Sequence, residues 1–168
     1  VLEPGDELLM VDSAYLPTRT FCDQGLKRYG IATRYYDPRA TAGEVEALLS
    51  DSTKAIFMES PGSLTFEVQD VPGICSVAHK RGITTLLDNT WATPLFFKPL
   101  EFGIDLVLHS ATKYLGGHND LLAGAVLGSA DLIDGIRGLQ AVTGAIATSV
   151  ARPRRCVRHV LRFRLRLA

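Results

Sequence analysis

No run of 18 apolar residues occurs anywhere in the 168-residue chain, so no segment reads as a transmembrane helix. Cysteine is scarce: Cys22, Cys75 and Cys156 are odd in number and follow no metal-ligand spacing. A disulfide framework is excluded, a reducing cytoplasm is the expected setting, and each thiol is expected as a small buried hydrophobe. Fifteen glycines and eight prolines are too few and too scattered for a collagen-like or low-complexity chain. The first seven residues, Val1 to Glu7, carry three acids and no basic residue, so no secretory signal is expected. Acids disappear altogether after Asp134.

That last absence divides the chain. Residues 1–134 hold all 18 acids against ten basic residues, a net charge of −8, whereas residues 135–168 hold eight arginines and no acid, a net charge of +8. Seven of those arginines lie between Ala151 and Ala168. A basic arm for nucleic acid is one reading of such a tail, and the alternation of Leu161-Arg162-Phe163-Arg164-Leu165-Arg166-Leu167 fits an amphipathic strand. An out-of-frame or truncated end explains the abrupt shift better, so nucleic acid is not expected as a partner. With 46% hydrophobic residues, the remainder suits one domain, or a piece of a larger one, burying roughly 70% of its unfolded surface.

The first 134 residues alternate short apolar runs with amphipathic stretches. Asp6–Val11, Ile31–Tyr36, Lys54–Glu59, Ile83–Leu87 and Asp105–His109 read as strands, apolar along most of their length. Between them, Phe21–Tyr29 suits a short helix with Phe21, Leu26 and Tyr29 on one face and Gly30 as its stop. Thr41-Ala42-Gly43-Glu44 is a capping box that opens a helix through Leu49. Asp70 caps another, with Pro72 in its first turn, Ile74, Val77 and Ala78 as its apolar stripe, and Gly82 at its end. This alternation predicts an α/β fold: a mostly parallel sheet with helices on both faces. Right-handed crossovers would gather the carboxyl ends of the strands along one edge, where open α/β sheets bind ligands.

Two chemically capable residues fall on that edge. Asp88 directly follows the strand Ile83–Leu87, and Lys113 lies four residues beyond His109. By spacing alone the pair also reads as a surface salt bridge. His109, facing opposite to Ser110, reads as packed rather than catalytic; His118 and Asp120 are too few for a metal site, and none is expected. Gly116-Gly117 reads as backbone passing close to the site, and Glu59 as a buried acid near it without an assigned role.

The local sequences narrow the choice. Asp88-Asn89-Thr90-Trp91-Ala92-Thr93-Pro94 follows one strand, and Ser110-Ala111-Thr112-Lys113-Tyr114-Leu115-Gly116-Gly117-His118 follows the other. Together they resemble the Cys/Met-metabolism (transsulfuration) family of fold type I pyridoxal-phosphate enzymes, over roughly residues 1–134. Ser13-Ala14-Tyr15 with Phe21-Cys22, Glu59-Ser60-Pro61-Gly62-Ser63-Leu64-Thr65 and Trp91 are most similar to the cystathionine β-lyases among its members. The resemblance implies the central part of the large domain of a PLP-dependent transferase fold, at residues 1–147, with residues 148–168 departing from the family.

It also implies a cofactor, pyridoxal 5'-phosphate, and roles for five residues. Lys113 would form the Schiff base and then act as base at the substrate Cα. Asp88 would hold the pyridine nitrogen protonated, so that the ring acts as electron sink. Tyr15 would stack on the ring and assist proton transfer; without the resemblance it reads as a core aromatic. Ser110 and Thr112, on one side of an extended segment, would donate their hydroxyls to the phosphate. The implied reaction is β-elimination of an amino-acid thioether, L-cystathionine to homocysteine, pyruvate and ammonia, with a γ-acting relative or a non-catalytic remnant as alternatives. Family members are dimers of dimers, so a homo-oligomer is implied, and no membrane partner. The phosphate-cradling turn, the residues lent by a neighbouring subunit and the substrate-carboxylate arginine have no counterpart among these residues. Exposed apolar surface is therefore expected where those segments would pack.

Overall fold

The computed structural model describes residues 1–118, 120 and 122–144. A six-stranded sheet organises them: β1 (Glu7–Val11), β2 (Ala32–Tyr36), β3 (Thr53–Glu59), β4 (Thr84–Asp88), β5 (Leu106–His109) and β6 (Ala125–Gly128). Their spatial order is β2-β1-β3-β4-β5-β6. The first five are parallel, and β6 runs antiparallel beside β5, with Leu106 opposite Gly128 and His109 opposite Ala125. Gly128 is needed there, because a Cβ would lie 2.6 Å from the Asp105 carbonyl oxygen.

Helices α1 (Leu16–Thr20), α2 (Ala42–Leu48), α3 (Val71–His79), α4 (Thr93–Phe96) and α5 (Ala130–Thr143) complete the described elements. The chain leaves β1 in one direction along the sheet, to β2, and crosses back in the other, from β2 to β3, β4 and β5. Right-handed crossovers thus set α1 on one face and α2, α3 and α4 on the other. In keeping with this, α2 packs on α3, and α3 on the 3-10 turn Pro99–Phe102.

The central strands β1 and β3 are apolar because both faces of the sheet are covered there. Leu9, Met10, Ile56, Met58 and Leu87 are fully buried, and Ile74 and Ala78 of α3 close over them. Both expected caps form. Glu44 N–H donates to Thr41 Oγ1 at 3.3 Å while Thr41 N–H donates to Glu44 Oε2 at 2.8 Å; Gly73 N–H donates to Asp70 Oδ1 at 3.1 Å. At the amino ends of β4 and β5, Asp105 accepts both the N–H and the hydroxyl of the buried Thr85 at 2.8 Å, which locks the pairing of the two strands.

Several elements differ from expectation. Helical structure begins at Leu16, not Phe21, and passes into a π-helical turn over Phe21–Leu26. The wider winding changes which side chains face inward. Cys22 is buried and Leu26 packs on the core, whereas Phe21 and Tyr29 are exposed, so those two do not share a buried face. Gly30 does take the left-handed conformation, at φ +74°. Asp88 is the last residue of β4 rather than the first beyond it. Lastly, β6 and α5 had no sequence signal: β6 has four residues, with Val126 and Leu127 exposed, and α5 buries none of its side chains. Residues 145–168, with the arginine-rich stretch and its alternating segment, lie outside the described residues.

The packing hierarchy is testable by chemical denaturation. Ile74→Ala empties a fully buried position and is expected to cost about 2–5 kcal/mol, whereas Asp70→Ala removes one cap bond and costs about 1 kcal/mol. Equal costs would show that α3 is not held by its buried stripe.

Candidate functional site

The chain departs from β1 and from β3 toward opposite edges, which opens a crevice at the carboxyl ends of these adjacent strands. Four chemically distinct groups converge there. Tyr15, four residues beyond β1, donates its backbone N–H to Glu59 Oε2 at 2.8 Å. Glu59 is the last residue of β3 and pairs in register with Asp88, the last of β4. In parallel strands, paired residues point to the same face, so the two acids stand side by side. Lys113, in the loop after β5, carries its Nζ 5.1 Å from the centre of the Tyr15 ring.

Backbone and side-chain bonds hold these loops together. Asn89 N–H donates to the Leu108 carbonyl at 2.9 Å, and its Nδ2 to the Phe97 carbonyl at 3.0 Å. Thr90 N–H donates to Asp88 Oδ1 at 2.9 Å, and Ser110 N–H donates to Thr90 Oγ1 at 2.7 Å. The loops after β4 and β5 are therefore tied to each other next to Asp88. Asp88 Oδ2 takes no hydrogen bond, and Lys113 Nζ makes neither hydrogen bond nor ion pair, among the described residues.

The segment after β5 is folded, not extended as the sequence suggested. Lys113 N–H donates to the Ser110 carbonyl at 3.0 Å, Gly116 N–H to Ala111 at 2.7 Å and Gly117 N–H to Lys113 at 2.8 Å. Ser110 and Thr112 thus do not share the side of a strand. The Ser110 hydroxyl bonds no described residue, while Thr112 Oγ1 donates to the Ala123 carbonyl at 3.1 Å and accepts from Ala123 N–H at 2.9 Å. Its proton is spent on the loop that leads to β6.

His109 is packed, 4% exposed, and burial lowers its imidazole below the usual range. No group of three or more His, Cys, Asp or Glu among the described residues could hold a metal ion. Nor is any described helix long and apolar enough to cross a membrane.

Glu59 is the functional candidate that the sequence left without a role. The signal was a charged residue closing a strand whose residues Ala55–Met58 are all buried. Burial pushes its carboxyl up to about 7; the Tyr15 N–H draws it down, Asp88 pushes it further up, and Lys113 opposes that. Beside these groups lies an aromatic shelf. The Trp91 ring stacks on Tyr114 at 5.7 Å and tilts against Phe66 at 5.8 Å. All three rings are largely exposed, as are Leu64 and Phe96, which matches the expected uncovered apolar surface.

At the switch point of the parallel sheet, the described residues thus gather an amine, a carboxylate with an open oxygen, an aromatic face and a hydroxyl. The chain belongs to the family of Cys/Met metabolism PLP-dependent enzymes, whose sequence profile matches residues 1–166. A Saccharomyces cerevisiae relative, provisionally named a cystathionine beta-lyase, is 56% identical over 120 residues, covering 71% of this chain and 35% of its own length. The L-methionine gamma-lyase of Pseudomonas putida is 43% identical over 148 residues, 87% of this chain and 37% of its own. The crystal structure of cystathionine gamma-lyase from Lactobacillus plantarum complexed with L-serine superposes with a TM-score of 0.84 at 34% identity, covering 88% of this chain and 39% of that one. The chain thus spans little more than a third of the length of these relatives.

The donor set fits pyridoxal 5'-phosphate, the cofactor of the family. Among the described residues, Lys113 offers an amine without a bonding partner, Asp88 an unoccupied oxygen for a ring N–H, and Ser110 an unbonded hydroxyl. Thr112 as placed offers an acceptor but no proton.

The raised Glu59 carboxyl gives a pH signature. Its ordinary value is 4.5 and its folded value about 7, so the native state holds the proton more tightly than the unfolded chain does. That stabilisation is complete below the ordinary value and is lost as pH rises through about 7. Glu59→Gln keeps an oxygen for the Tyr15 N–H without the charge. Its melting temperature relative to wild type is expected to rise between about pH 5 and about pH 8. A constant difference in thermal melts across that range would contradict the assignment.

Proposed function

We propose that Lys113 is the reacting amine of a pyridoxal-phosphate-dependent carbon–sulfur lyase, and that the reaction is β-elimination of L-cystathionine to homocysteine, pyruvate and ammonia. The observation that carries the reading is the Lys113 Nζ standing over the Tyr15 ring, free of any described bonding partner, at the edge where Asp88 ends β4. When bound, the cofactor ring supplies an electron sink for the pair released at the substrate Cα.

The chain's own residues do the rest. Lys113 would serve as base at the substrate Cα, and its position in the loop after β5 lets it turn without disturbing the sheet. Asp88 accepts a hydrogen bond at its free Oδ2 and holds positive charge on the pyridine nitrogen. Tyr15 presents its ring as a packing face, and its hydroxyl or Lys113 returns a proton to the departing thiolate. Ser110 donates to the phosphate; Thr112 joins it only by giving up its bond to the Ala123 carbonyl. A tetrameric assembly, with neighbouring subunits covering the aromatic shelf, belongs to the same reading, as does a cytoplasmic location.

Glu59-Ser60-Pro61-Gly62-Ser63 and Trp91 favour β-elimination, as does the yeast relative. A γ-acting enzyme is the second reading, supported by the likeness to the Pseudomonas putida and Lactobacillus plantarum γ-lyases.

Adding pyridoxal phosphate to the chain is expected to give a visible band that borohydride fixes on Lys113, and Lys113→Ala is expected to give none. Absence of the band, or an unchanged band in the variant, would remove Lys113 from the chemistry. In a full-length relative carrying these residues, pyruvate as product would mark β-elimination, and 2-oxobutyrate the γ-acting alternative.

A further inference from the structure

We propose that Glu59 is a positioning residue of this site, whose carboxylate clamps the Tyr15 backbone and sets the Lys113 amine over the Tyr15 ring. The inference rests on reading Lys113 as the reacting amine. Three features place it. Glu59 Oε2 accepts the Tyr15 N–H at 2.8 Å across 44 residues of sequence, which joins the loop after β1 to the end of β3 beside the Ser63 N–H to Ser13 carbonyl bond at 2.8 Å. The β3–β4 register puts Asp88 beside it. The backbone at Glu59 is itself held, because Gln69 Nε2 donates to its carbonyl at 2.8 Å, while Tyr36 Oη donates to Gln69 Oε1 at 2.6 Å.

A clamp alone needs no charge, since a glutamine oxygen also accepts an N–H. Placing a carboxylate in a half-buried position next to another acid is costly, and what compensates it here is the Tyr15 N–H and Lys113. The charged and titratable groups facing Glu59 are these: Asp88 from β4, Lys113 from the loop after β5, and Tyr15 from the loop after β1. With Glu59 ionised, two carboxylates face one amine, and the pair draws Lys113 toward the Tyr15 ring. With Glu59 protonated, Asp88 alone remains, and the Tyr15 bond loses its charge assistance. Ionised hydrogen bonds are roughly twice as strong as neutral ones. Glu59 therefore links the geometry of the amine to pH around neutrality, although it touches no reacting atom.

Amide hydrogen exchange by NMR on the cofactor-free chain tests this without catalysis. Protection of the Tyr15 amide, corrected for the intrinsic rate, is expected to rise about three- to tenfold from about pH 6 to about pH 8 in wild type. Glu59→Gln is expected to keep the lower protection and lose the pH dependence; Glu59→Ala is expected to lose it too and to fall about tenfold below Glu59→Gln at every pH. The Lys113 side-chain nitrogen shift should follow the same midpoint in wild type and be flat near neutrality in Glu59→Gln. A pH dependence that survives in Glu59→Gln, or Tyr15 protection unchanged in Glu59→Ala, would overturn the proposal. Should Glu59→Ala not fold, the near-isosteric Glu59→Gln still decides it. Loading with pyridoxal phosphate then separates the two readings. If wild type forms no borohydride-fixed band, the lyase reading fails, while the exchange data still judge the clamp. If the band forms, Glu59→Gln is expected to weaken cofactor binding about three- to tenfold, most above neutrality.

Discussion

Parallel pairing of β3 with β4, in the register that sets Glu59 beside Asp88, is the constraint on which the site depends. The strands are apolar and covered on both faces, so neither can slip by a residue without turning buried side chains such as Ile56, Met58 and Leu87 to the wrong side. At the amino ends, Thr85 and Asp105 lock β4 to β5. That lock carries through to the other end, where Asn89 bonds the Leu108 carbonyl and Ser110 bonds Thr90. Two acids and one lysine loop are in this way delivered to a common edge by packing that has no part in the chemistry.

The site then works against the stability that built it. Of the two neighbouring carboxylates, Glu59 is pushed up to about 7 by burial first and by Asp88 to a lesser degree, a cost to folding. Lys113 and the Tyr15 N–H relieve part of that cost. The aromatic shelf of Phe66, Trp91 and Tyr114 adds exposed apolar area beside the charges.

Much of this was readable in advance, and the reasons differ by element. Thr41 with Glu44, and Asp70 with Gly73, are local signals whose partners lie within three residues, so both caps could be read directly. β1, β3 and β5 were legible because burial on both faces leaves apolar runs, whereas β2, with only Tyr36 buried, was read from its alternation. Phe21 and Tyr29 misled, because a π-helical turn shifts the phase that a period of 3.6 assumes. β6 was invisible: a four-residue edge strand with two exposed apolar side chains has no pattern to set it apart. Thr112 was read as extended, and only the fold shows its hydroxyl committed to Ala123, 11 residues away.

The sequence by itself determined most element types, the caps and the placement of Asp88 and Lys113 near the carboxyl ends of their strands, since each follows from patterns within one or two turns of chain. It also carried the motifs that mark the family. Only the tertiary structure decided that Glu59 faces Asp88, that Tyr15 is held by Glu59 and that Lys113 stands over Tyr15. Those contacts join residues 29 to 98 positions apart in the sequence, and strand register and loop closure set their distances. No local pattern encodes such distances, because they depend on how every strand between them packs.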